Sequence, residues 1–149
     1  MVSKEVEEFR IAAAAYCDFI DSCSSFDDKE TLIKLLSLVS RLYTEAFELP
    51  EVELEGEHTI DVDFPLPEVI FQKHNVYKEI FNPYHDTIPV NGCLDDDITD
   101  IYSDIKNGLL LYEQGHDAEA VWEWKFSFEV HWGEHATSAI RALHSINYQ

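Results

Sequence analysis

Apolar residues recur at steps of three and four along most of the chain, and that period argues for helices. Val6, Phe9, Ala13, Tyr16, Cys17 and Ile20 form one stripe behind Ser3, a natural N-cap, which predicts a helix to about Ser22. Asp27 and Glu30 stand in capping-box register. Leu32, Leu35, Leu36, Val39, Leu42, Tyr43, Ala46 and Phe47 carry a second helix over Glu30–Glu48, stopped by Pro50. The short connection predicts that the two pack as an antiparallel pair within 1–49. Pro67 at a first helical turn, with Val69, Ile70, His74, Tyr77 and Phe81 behind it, predicts a short helix over 67–81 ended by Asn82-Pro83. Residues 82–94 then read as loop.

Asp95 or Asp96 is expected to cap a helix over 95–114, striped by Ile98, Ile101, Tyr102, Ile105, Leu109 and Tyr112. Gly115 supplies its Schellman-type stop. Asp117 opens the last helix, over 117–146. Plotted at about 100° per residue, that helix has a narrow polar side of Glu119, Glu123, Ser127, Glu134, Ser138 and Arg141. Trp124, Phe128, His131, His135, Ala139 and Ala142 fall on one flank; Trp132, Ala136 and Leu143 fill the sector beside it. So wide an apolar girth predicts a central helix covered by several neighbours. Gly133 should mark a close crossing or a kink, and Lys125 and Glu129 are spaced to pair with each other. The predicted fold is an all-α, single-domain bundle of about five helices.

One stretch breaks the helical pattern. From Leu42 to Gln72 there is no Lys or Arg and there are nine acids. Within it, 50–66 alternates as EVELE and IDVDF, which suits a short hairpin around Gly56 or an exposed acidic loop, since like charges on one strand face repel. The whole chain carries 30 acids against 10 bases, a formal net charge of -20. That balance argues against nucleic acid or an anionic membrane as partner. The N-terminus is charged from its start and no apolar run approaches the ~20 residues needed to span a bilayer. Cys17, Cys23 and Cys93 are odd in number with no C-x-x-C pair, so the expected setting is soluble, reducing and cytoplasmic.

Chemistry concentrates near the C-terminus. His131-Trp-Gly-Glu134-His135 has the letters of the H-x-x-E-H zinc protease motif. Glu134 projects to the polar side, and too little acidic chain follows to supply a third ligand, so a protease is not expected. Asp97, Asp100 and Asp104 line one edge of the 95–114 helix. If the last two helices pack antiparallel, that edge lies beside His131 and His135. Histidines and carboxylates converging between helices are how bundle metal sites are built. The plainer expectation is that these acids cap or pair at the rim, and that both histidines, sharing a flank with Trp124 and Phe128, are core residues. His58, His74, His85 and His116 are scattered bystanders. Phosphate-cradling glycine motifs and the G-x-S-x-G elbow are absent.

Two functions remain. The first is a non-enzymatic interaction module whose acidic face attracts a basic protein, with no catalytic residue and no cofactor. The alternative is a metal-binding or metal-dependent hydrolase-like protein, with His131, His135, Asp100 and Asp104 holding a divalent ion of open identity.

The runs FNPY (81–84), DDITDIYSDIKNGL (96–109), AVWEWKFSFEVHWGEHA (120–136) and AIRALH (139–144) resemble a bacterial family known only as a domain of unknown function. The likeness covers 81–144 and is looser over the N-terminal helix pair. It implies a small, all-helical bacterial protein and supplies no catalytic residue, cofactor or substrate.

Overall fold

The computed structural model describes residues 3–54, 60 and 62–148. Four helical rods and a small hairpin follow one another. These are α1 (Lys4–Ser22), α2 (Lys29–Ala46), β1 (Val76–Glu79), β2 (Val90–Cys93), α3 (Leu94–Glu113) and α4 (Asp117–Ser127), then a π-helical turn (Phe128–Trp132) running straight into α5 (Gly133–Tyr148). The expectation of an all-α bundle of five helices is therefore corrected to a mostly helical fold with an antiparallel two-stranded sheet.

The local signals place the first helices. Ser3 accepts from the Val6 N–H and caps α1, whose predicted stripe is buried. At α2 the cap is Asp28, which accepts from the Thr31 N–H at 3.0 Å. Asp27 was the expected cap, but its carboxylate accepts the Gln72 N–H at 2.9 Å and so holds the return strand of chain.

That bond helps explain why 67–81 is not a helix. Val69 and Phe71 are drawn into the core as irregular chain, Phe71 against Phe26 at 5.3 Å between ring centres. Asn75 then serves the start of α3: its carbonyl accepts from the Leu94 N–H at 2.8 Å and its side chain from the Asp95 N–H at 2.9 Å. The helix thus begins at Leu94, with Cys93 as cap residue and the cap bond borrowed from Asn75, not from Asp95 or Asp96. With Asn75 fixed there, Val76 pairs with Cys93 and Glu79 with Val90, so part of the predicted 82–94 loop is strand. Residues 51–54, 60 and 62–66 form no helix or strand, and the hairpin proposed around Gly56 lies outside the described residues.

α3 ends as expected, at Gly115 with φ 87° and the His116 N–H bonded to the Leu111 carbonyl. α3 and α4 then meet closely. A Cβ on Gly108 would collide with the indole of Trp124, whose Nε1–H donates to the Ile105 carbonyl at 3.0 Å. Trp124, Trp132, Phe9 and Tyr16 are fully buried and anchor the core.

The last helix is one rod with two registers. At the π-turn the Gly133 N–H bonds the Phe128 carbonyl, five residues back, and a Cβ on Gly133 would strike that carbonyl oxygen. Such a turn holds one residue more than an α-turn. Beyond it every side chain is rotated by about 100° relative to a straight helix. Trp132, Ala136, Ala139 and Leu143 swing into line with Trp124, and all are buried. The rod is not covered all round: Phe126 and Val130 are exposed. Lys125 does not pair with Glu129; its ammonium donates to the Leu49 carbonyl at 3.1 Å and lies 3.5 Å from Glu51. Among the described residues no helix is long and apolar enough to cross a membrane.

Candidate metal centre

The same rotation that aligns Trp132 with the core turns the following histidine away from it. His135 moves to roughly 80° from Trp124 once the π-turn is counted, and it faces the acidic edge of α3. His131 and His135 are therefore rim residues, not the core residues their shared flank with Trp124 suggested. Their rings lie 4.9 Å apart, edge to face.

Each ring meets an aspartate. Nδ1 of His135 is 2.8 Å from Oδ1 of Asp97, and Nδ1 of His131 is 2.6 Å from Oδ2 of Asp104. A carboxylate can only accept, so both rings donate from Nδ1. The other nitrogen of His135, Nε2, lies 3.2 Å from Oδ2 of Asp100. One ligand atom each from Asp100, His131 and His135 fall within 4.8 Å of one another. All four residues singled out from the sequence converge here, with Asp104 set on His131 and Asp100 facing His135.

Two further residues were not foreseen in this role. Asp97 is only 6% exposed, and its second oxygen accepts from the Tyr77 hydroxyl, delivered by β1. Asp97 and Tyr77 thus orient His135 from behind, as a carboxylate behind a histidine does in many metal sites. Asp97 stood in the sequence beside Asp100 and Asp104 at the right spacing, but as one of several acids near a helix start. Tyr77 could not be placed while 67–81 read as helix. A second group, Cys93, Asp95 and Asp96, also brings ligand atoms within 4.8 Å. These residues nearly adjoin in sequence at a helix start, so their closeness follows from the chain itself.

The electrostatics are uneven. Burial pushes the Asp97 carboxyl above its ordinary range, against the opposing pull of His135 and Tyr77. Burial likewise raises Asp104, against the pull of His131, and burial raises Glu123 with Asp104 adding to it. His135 is raised by its bond to Asp97, which outweighs its own burial. The histidine is stabilised as a cation while the carboxylates keep part of their desolvation cost. A bound cation would offset it.

The model of a protein family described as a domain of unknown function (DUF5063) matches residues 1–149. The chain belongs to this family. A crystal structure of protein BF1032 from Bacteroides fragilis covers 99% of the DUF5063 chain and 94% of its own, with a TM-score of 0.76 and 22% identity, a likeness of fold alone. No curated protein matches.

Proposed function

We propose that this protein binds a divalent transition-metal ion through His131, His135 and Asp100. The observation that carries the reading is the arrangement about His135: Nδ1 is held by buried Asp97 while Nε2 faces Asp100 at 3.2 Å. Two ligands on one tetrahedral ion with bonds of ~2.0–2.1 Å stand about 3.3 Å apart. Two imidazoles and one carboxylate suit zinc or iron and leave coordination positions for water. Asp104 serves as a positioning residue on His131, or as a fourth ligand once the ion draws the rings together. A water on such an ion is the nucleophile of a metal-dependent hydrolase, the chemistry this site would supply.

The test is elemental analysis of protein purified without chelator, together with thermal melts over a metal titration. Stoichiometric metal is expected, with a melting temperature that rises with metal in the native chain and not in His135→Gln. Metal-free protein whose melting ignores zinc, iron and manganese would reduce these residues to ion pairs at the bundle rim.

The acidic partner face is a second proposal. Glu48, Glu51, Glu53, Asp63 and Glu68 are all exposed, within a stretch free of bases. A basic protein is the complementary partner, and retention that weakens with salt is its test. A cytosolic setting accords with three unpaired thiols, Cys17, Cys23 and Cys93.

A further inference from the structure

We infer that the cleft between β1 and α5 binds a small organic oxyanion, a phosphate or carboxylate carried on an apolar body. The cleft has a volume of about 650 Å³, within the range that holds a metabolite-sized ligand. Lys73, Lys78 and Arg141 line it. In a chain with 10 bases against 30 acids, three of those bases line one concavity.

Their charge is available. Among the described residues no carboxylate lies within ion-pair distance of Lys73, Lys78 or Arg141. Lys78 gives one hydrogen to Asn91 at 2.6 Å and keeps two. The cleft also has two acids, Glu79 and Glu134. Glu79 accepts from Ser138 through one oxygen, while the single Tyr77 hydroxyl proton goes to Asp97. Arg141 on α5 and Lys73 just before β1 line the cleft from its two sides, and a guanidinium can hold an oxyanion through two parallel bonds.

The lips select the rest of the ligand. Val76, Ile80 and Phe81 line the same cleft and stay largely exposed, an apolar surface that a ring or acyl chain would cover. The surrounding charge selects size. A long polyanion would extend from the cleft over a surface with a net charge of -20 and be repelled, whereas a small anion ends where the bases end. Tyr77 forms part of the cleft wall and also donates to Asp97, so the cleft adjoins the His–Asp site, but its oxyanion chemistry needs no metal.

Calorimetric titration of the full, chelator-treated chain tests this. The probes are phenyl phosphate and phenylacetate, with benzyl alcohol as the neutral control. Saturable binding of phenyl phosphate, phenylacetate or both is expected, the comparison naming the headgroup, with none for benzyl alcohol. Arg141→Ala should weaken it by roughly tenfold or more, Lys73→Ala should weaken it less, and Lys34→Ala, exposed on α2, should leave it unchanged. Circular dichroism checks that each variant keeps its helix content. Absence of saturation with both anions, full binding by Arg141→Ala and Lys73→Ala, or tighter binding of a heparin fragment than of either probe would overturn the inference. Because the chelated chain is used, failure here leaves the metal reading standing, and loss of the metal reading leaves this one.

Discussion

Trp124 and His135 sit on the same helical rod, on opposite sides of the π-turn, and each offers a ring N–H to α3. Trp124 is fully buried and gives its proton to a backbone carbonyl, the Ile105 oxygen. His135 is 27% exposed and gives its proton to a carboxylate. The first bond joins two neutral groups in a dry core and does nothing but fix the crossing of α3 and α4. The second joins two titratable groups at a wet edge and leaves a second nitrogen facing Asp100. One rod thus contributes packing at one end and chemistry at the other, and what separates them is the partner met on α3.

The contrast is broken most severely by Trp124→Ala, which should cost about 3–5 kcal/mol in chemical denaturation, since the indole leaves a cavity beside Phe9 and Gly108. His135→Gln should instead leave a folded protein and remove the metal-dependent gain, which is about 2.7 kcal/mol when free metal is a hundredfold above Kd. Paired melts with and without zinc separate the two. Asp97→Ala should cost about 1–3 kcal/mol by stranding the Tyr77 hydroxyl and the His135 ring.

A fourth expectation concerns pH in the metal-free chain. Folding raises the His135 pKa above its ordinary 6.5, so the folded state holds that proton more tightly. Its contribution to stability is complete below pH 6.5 and fades as pH climbs through the raised folded value. A metal ion needs the neutral ring, so metal-induced stabilisation should grow across the same window. Melts of both forms from weakly acidic to weakly basic buffer should converge on the acid side, and His135→Gln should flatten both trends. The smallest effect is expected at Asp104→Ala, under about 1 kcal/mol, because its partner His131 is 45% exposed. A cost as large as that of Asp97 would mean the two histidine–aspartate pairs are equivalent.

The sequence carried the parts of the fold that depend on neighbours along the chain. The stripe of α1, the Gly115 stop and the core face of α3 all follow from a three-and-four spacing that nothing distant overrides. The 67–81 segment failed that reading because its conformation is set from afar, by Asp27 on Gln72 and by Asn75 on the start of α3. His131, His135, Asp100 and Asp104 could be brought together from helix spacing and an antiparallel turn. Their surroundings could not. A plot at a constant angle cannot contain the π-turn, so it left the histidines among core residues and Trp132 to one side.

The π-turn also has a bearing on how this chain can lose or gain a residue. A single deletion inside an α-helix turns everything beyond it by about 100° and would expose one half of a buried stripe. Here the rod already holds a surplus residue between Trp124 and Ala136. Val130, exposed within that turn, can be excised to give a continuous α-helix in which the residues before Phe128 and after Gly133 keep their present facings. The core would survive such a shortening. Only His131, seated within the surplus turn, would lose its address, so a lineage that dropped this residue would keep its bundle while parting with one side of its histidine pair.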